Sequence, residues 1–246
     1  MKKKSDAGKP AVKAKTASRP KALKKKRGPG SARSLRRKPG APPLEVLRRL
    51  KLEYPEAHCA LVHQSPYQLL VATILSAQCT DARVNMVTPG LFARYPSVHE
   101  LAQANPAELE EIIKSTGFFR NKTRSLIGMA QAVVADHAGE LPRTMEALRR
   151  LPGVGRKTAN VLLGNAFGIN EGITVDTHVT RLSILLGLTV HTDAEKIEQD
   201  LMAELPREDW TLVSHLLIEH GRQVCIARRP QHHKCVLADI CPSVNL

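Results

Sequence analysis

From Pro43 onward, apolar residues recur at helical spacing, and each run is cut by a capping residue, a proline or a glycine. A chain punctuated that way buries its apolar faces by stacking short helices on one another. The predicted fold class is therefore all-α. "PLEVLRRLKLEYP" stops at Pro55. "SPYQLLVATILSAQ" opens with Ser65 as N-cap and Pro66 at the first helical position, and is apolar almost all round, as a helix inside a bundle would be. Thr80 and Asp81 open the next helix, and "NPAELEEIIKSTG" repeats the cap-then-proline start before stopping at Gly117. "RNKTRSLIGMAQAVVADHAG" runs to Gly139, followed by "TMEALRRL", a glycine turn and "RKTANVLLGNAFG". "VTRLSILLG", "DAEKIEQDLMAELP" and "REDWTLVSHLLIEHG" complete the series. Only "HCALVH" and "GITV" have strand character, and both are too short to organise a sheet.

Charge divides the chain. The formal net charge is +14, yet residues 1–40 hold 16 Lys/Arg against the single acid Asp6, a net of +15, while the remainder carries 21 Lys/Arg against 22 acids, a net of −1. The first 42 residues mix Lys, Ala, Pro, Gly and Ser with almost no large apolar side chain, so they are predicted to form a disordered basic tail. Such an arm suits nucleic acid; a solubilising leader is the plain alternative. A transit peptide ranks lower, because no apolar helical stripe is present and Lys outnumbers Arg. With no apolar run of signal or membrane-spanning length, neither secretion nor a membrane partner is expected. Three of the five cysteines fall within the last 22 residues, which in an intracellular chain points to a metal rather than disulfides.

The turn "LPGVGRKTAN" at 151–160 separates two helices. Gly153 and Gly155 can adopt backbone angles that aim consecutive N–H groups outward together, and the following helix adds the positive end of its dipole. That is an anion site suited to one DNA phosphate without sequence preference, although the same glycines also serve an ordinary joint between helices. Lys157, just inside the helix, is by itself a solvated cation, and Asp176 in "TVDTHV" is by itself an N-cap.

Taken together, "LPGVGRKTANVLLGNAFG", "TVDTH", "LLVATILSAQCTD", "TGFFRNKTRSL" and "HGRQVCIARRP" resemble the endonuclease III family of helix–hairpin–helix DNA glycosylases, in the right order and over most of residues 44–246. The resemblance implies a two-domain fold: a six-helix barrel domain over 59–169 that carries the hairpin, and a metal-cluster domain made of 43–58 and 170–246. It implies a bifunctional DNA glycosylase and abasic-site lyase that excises oxidised pyrimidines from duplex DNA in base excision repair. Lys157 would be the amine that attacks the sugar C1′, forming a Schiff base from which the strand is cleaved by β-elimination. Asp176 would be the catalytic carboxylate, holding fixed negative charge beside an oxocarbenium-like sugar. Gln78 would enter the stack when the damaged nucleotide is turned out, and Asp81 would line the lesion pocket. Gly153, Gly155, Arg156 and Thr158 would contact the DNA backbone, and Arg228 and Arg229 would meet phosphates from the metal loop. The expected setting is a monomer acting on damaged double-stranded DNA in the cytoplasm, at the bacterial nucleoid. The alternatives are a non-catalytic DNA-binding protein, which Lys157 and Asp176 together argue against, and a monofunctional glycosylase using water, which would leave intact abasic DNA.

The family's loop places four cysteines around a [4Fe–4S] cluster. Cys225, Cys235 and Cys241 match three of those positions, and the remaining one falls on His232. Cys225, His232, Cys235 and Cys241 could close an iron–sulfur cluster, since imidazole is a known ligand of such clusters; three cysteines with one histidine are also a common zinc set, and the third alternative is an empty site whose cysteines pack as small apolar side chains. His233 is a substitute ligand with its spacing off by one.

Overall fold

The structure, a computed structural model, describes residues 39–244. The expected tail falls outside them except for its last four residues. Of these, Ala41 is buried, and its N–H donates to the Leu186 carbonyl at 2.8 Å, so the packed chain already includes it. Among the described residues there are eleven α-helices and no strand. No helix there is long and apolar enough to cross a membrane.

Helix starts obey the local chemistry of the sequence. Ser65 caps α2 (Pro66–Leu75) by accepting from the Gln68 N–H, with Pro66 leading the helix. Thr80 caps α3 (Asp81–Arg94), and Asn105 caps α5 (Pro106–Ile113) ahead of Pro106. Between these lies the short α4 (Val98–Ala102), closed by a reciprocal Ser97–Glu100 capping box. A 3-10 turn, Lys114–Thr116, extends α5 to Gly117. Then come α6 (Phe119–His137), α7 (Met145–Arg150) and α8 (Arg156–Phe167). Every residue of α2 from Leu69 to Leu75 is buried, as its uniform apolarity demands. With residues of α3 to α8 it forms one hydrophobic core, reaching from Leu61 to Leu163.

A second core joins α1 (Pro43–Glu53) to the C-terminal helices α9 (Thr177–Leu186), α10 (Ala194–Glu204) and α11 (Trp210–Gln223). Leu50, Val179, Ile197, Leu216 and Leu237 are fully buried in it. The stretches "HCALVH" and "GITV" are irregular chain, as expected of pieces too short to pair. The two cores meet where α8 packs on α11, and the Asn165 side chain bonds the His215 Nε2 across that contact at 2.7 Å.

Candidate active site and metal loop

Lys157 is the second residue of α8, and Asp176 is the N-cap of α9. One helix belongs to each core, and their N-termini open on the same cavity. That cavity is lined by Lys157, Asp176 and Asp81, with His58, His215 and Arg222 around them. Asp176 Oδ1 accepts from the Val179 N–H at 2.8 Å, which fixes the carboxylate in space. Among the described residues Lys157 has no ion pair, so its exposed amine is free to meet a substrate. Asp81 accepts from Arg222 at 2.6 Å, an ion pair that bridges the rim from α3 to α11. His215 lies deeper. Burial, reinforced by His58 nearby, pushes its imidazole down to about 4, so it is neutral and uses Nε2–H to hold Asn165.

The hairpin glycines differ in what they are for. Gly153 has a φ of 77°, and a Cβ there would lie 2.6 Å from the Ser125 Cβ, so the turn itself demands glycine. Gly155 caps α8 with extended backbone, and a Cβ on it would meet nothing in the protein. The open space in front of Gly155 and the α8 N-terminus is where an anion can approach the backbone closely. Thr158 is half-buried beside it.

Arg156 has a partner that the sequence did not show. Its guanidinium forms a bidentate pair with the buried Glu198 of α10, at 2.7 and 3.0 Å, and the Asn160 amide donates to the same carboxylate at 2.8 Å. Its Nε and one Nη are committed to that carboxylate, while the other Nη has no partner among the described residues. Arg156 therefore clamps the hairpin helix to the second core, and its protonation is strengthened by the carboxylate it holds.

Gln78 stands outside the Lys157 cavity, in a neighbouring cleft that Gly153 also lines. Beside it is Phe118, which the sequence alone did not single out. Phe118 is exposed despite its size, and both it and Gln78 hold left-handed backbone, with φ of 48° and 54°. A strained, exposed aromatic next to a glycine in "TGFFRN" was the available signal.

In the C-terminal loop, Cys225, His232, Cys235 and Cys241 line one cavity of about 350 Å³, while His233 points away into solvent. Among the described residues no three potential ligands converge tightly enough to hold a single metal ion. Four donors around a cavity of that size leave room for a multi-atom cluster. Burial pushes the Cys225 and Cys235 thiols up, while Arg181, 3.6 Å from the Cys225 sulfur, favours the thiolate there. The buried His220 bridges Tyr54 and the Cys235 sulfur, at 3.0 and 3.4 Å. Arg228 and Arg229 are exposed on the same loop.

Comparison with known proteins agrees with this arrangement. Residues 71–207 match the HhH-GPD superfamily of base excision DNA repair proteins, and residues 225–241 match the iron–sulfur binding domain of endonuclease III. Endonuclease III of Synechocystis sp. is 57% identical over 201 residues, covering 82% of this chain and 92% of that protein. The Escherichia coli K12 enzyme is 37% identical over 198 residues, covering 80% and 93%. A solved structure of a trapped endonuclease III–DNA covalent intermediate superposes with a TM-score of 0.78 at 42% identity, covering 82% of this chain and 94% of that one. A thermostable thymine-DNA glycosylase shares the fold, with a TM-score of 0.72 at 21% identity.

Proposed function

The chain belongs to the endonuclease III family of the HhH-GPD superfamily, and from that premise we propose how its residues divide the work of a bifunctional DNA glycosylase and abasic-site lyase in base excision repair. The observation that carries the assignment is the shared cavity: an unpaired lysine amine and a fixed carboxylate, at two helix N-termini from two different cores, face the same space. The barrel domain, 59–169, supplies Lys157. The cluster domain, 43–58 with 170–246, supplies Asp176.

Duplex DNA is held by the hairpin, with one phosphate on the N–H groups around Gly153 and Gly155, Thr158 alongside, and Arg228 and Arg229 on further phosphates. The damaged pyrimidine nucleotide is turned out of the stack into the cavity, where Asp81 lines the lesion pocket. Gln78 and Phe118 fill the gap it leaves. The Lys157 amine, once neutral, bonds to C1′ as the N-glycosidic bond breaks, and the departing base takes up a proton. Asp176 stabilises the positive sugar and accepts the proton that the attacking amine sheds. Ring opening gives the protonated Schiff base, which acidifies the C2′ proton; loss of that proton breaks the C3′–O bond and releases the strand 3′ to the lesion.

Cys225, His232, Cys235 and Cys241 would hold the [4Fe–4S] cluster, a reading supported by the four donors that line the loop cavity. Bound there, it would tie the loop together and keep Arg228 and Arg229 in place. The protein acts as a monomer, on oxidised pyrimidines such as thymine glycol, at the bacterial nucleoid; the bacterial relatives support that setting.

The test is borohydride trapping on a duplex containing thymine glycol. The wild-type protein should yield a covalent adduct and Lys157→Ala none. An adduct that survives Lys157→Ala, or no adduct from folded wild type, would refute the lysine's role.

A further inference from the structure

Lys122 is buried, at 5% exposure, in the first turn of α6, whose other buried positions are apolar or small. Its ammonium donates to the Leu75 carbonyl at 2.8 Å and to the Thr116 carbonyl at 2.7 Å. Leu75 ends α2, and Thr116 ends the 3-10 turn after α5. The last carbonyls of a helix have no partner within it, and each carries the negative end of a helix dipole. One cation thus satisfies two converging helix ends. Burial holds the Lys122 amine below the usual lysine range, with Cys79 nearby opposing the shift, and the two carbonyls give the buried amine its hydrogen-bond partners.

Both carbonyls lie just upstream of an exposed side chain in left-handed backbone. Gln78 comes three residues after Leu75, and Phe118 comes two after Thr116. Gln78, Phe118 and Lys122 line one cleft of about 220 Å³, with Gly153 of the hairpin at its edge. Short turns leaving fixed points cannot wander far. Tying the two points together therefore sets the spacing between the Gln78 and Phe118 side chains. An apolar residue would fill the volume at 122 equally well but would leave both carbonyls without a donor.

We propose that Lys122 is a positioning residue for base eversion: by joining the chain ends that precede Gln78 and Phe118, it holds these two side chains at the separation needed to occupy the vacated gap. This rests on the gap-filling role proposed above for that pair. Lys122 itself touches neither DNA nor the reacting atoms.

A role in stability alone would weaken every step of the reaction alike, whereas a positioning role would not. Two duplexes separate them. One carries thymine glycol opposite 2-aminopurine, whose fluorescence reports unstacking and refilling of the gap. The other carries a preformed abasic site, where no base has to be unstacked, and is read by borohydride trapping. Lys122→Met, which keeps the volume and removes the donors, should excise thymine glycol at least tenfold more slowly and lose most of the fluorescence change. Trapping at the preformed abasic site should stay within threefold of wild type. Lys122→Arg, which can still donate to both carbonyls, should restore at least half of the fluorescence change. Equal losses on the two duplexes, or unchanged excision, would overturn the proposal. Should Lys122→Met fail to fold by circular dichroism, Lys122→Gln, whose amide reaches one carbonyl, is judged by the same two ratios. The double variant Gln78→Ala/Phe118→Ala checks the premise: if it keeps the full fluorescence change, the gap-filling pair is misassigned and the proposal falls with it.

Discussion

Glu198 offers the sharpest test of how the catalytic cavity is held together. It is a buried carboxylate in α10 that accepts three hydrogen bonds, two from Arg156 and one from Asn160, both on α8. Glu198→Ala would leave both partners stranded. Arg156 would keep a guanidinium whose side chain is only 30% exposed, and the Asn160 amide would lose its acceptor, while its own Oδ1 is already buried without a partner. Removing one side of a fully buried pair costs about 3–5 kcal/mol. Because water still reaches part of Arg156, the low end applies, about 3 kcal/mol. For a chain of this size that lowers the melting midpoint by roughly 6–12 °C.

The assay is thermal and urea unfolding of the holoprotein for four proteins. Glu198→Gln keeps one acceptor oxygen for Asn160 but loses the charge and sets an NH2 against an Arg156 N–H, so it should fall between wild type and Glu198→Ala. Arg156→Met/Glu198→Leu replaces the pair with apolar groups of similar size and should regain most of the loss, because breaking an ion pair costs more than deleting it whole. Activity should track the clamp. Arg156 and Lys157 are the first two residues of α8, so Glu198→Ala should slow excision tenfold or more at temperatures where the protein remains folded. A loss below about 1 kcal/mol in Glu198→Ala, or a double variant no more stable than Glu198→Ala, would refute the clamp.

Asp176→Asn keeps the oxygen that caps α9, so stability should change by less than about 1 kcal/mol while excision falls by about 10²–10³; Asp176→Ala should add a capping loss of about 1 kcal/mol. Equal activity in Asp176→Asn and wild type would leave the carboxylate with a capping role alone. His215, held near 4 against 6.5 when unfolded, binds its proton more readily in the unfolded chain. Its contribution is therefore complete above pH 6.5 and is lost as pH falls toward 4, by at most about 3 kcal/mol. Urea titrations across that range should show His215→Gln, which can still bond Asn165, losing correspondingly less stability than wild type; identical pH profiles would refute this. Deleting residues 1–40, with their 16 basic side chains, should flatten the salt dependence of DNA binding by about 0.9 in log–log slope for each phosphate contact removed. Single-turnover excision should barely change, and an unchanged slope would remove the tail from the interface.

What was legible in the sequence is what a few neighbouring residues decide. Ser65, Asn105, Thr80 and Asp176 cap helices because a short oxygen side chain reaches an N–H two or three residues on, and that geometry is local. The uniform apolarity of α2 likewise announces burial. Partners distant in the chain were not legible. The Arg156 clamp was hidden because nothing in "AEKIEQDLMAE" singles out Glu198, 42 residues away, from the other acids. Lys122 looked like any cation on an amphipathic helix, since its two carbonyl partners exist only once α2 and α5 have docked on α6. The choice between His232 and His233 rested on spacing in the sequence; in the fold, along the 3-10 turn His232–Lys234, His232 lines the cavity with the cysteines and His233 is exposed.

These long-range contacts share a location. Arg156 to Glu198, Asn165 to His215 and Asp81 to Arg222 each run from a residue of the first core to a residue of the second, and the last two pairs line the catalytic cavity. Neither core alone contains the proposed site: Lys157 comes from one and Asp176 from the other. A cavity assembled from two packing units can admit a nucleotide only along their seam, and its geometry is only as exact as the polar contacts that cross that seam. Apolar burial fixes each core but is non-directional, so it cannot by itself set an amine against a carboxylate to within the half-ångström that displacement at C1′ requires. The directional contacts across the seam do that, which is why a weakened clamp should slow base release at temperatures where the protein is still folded.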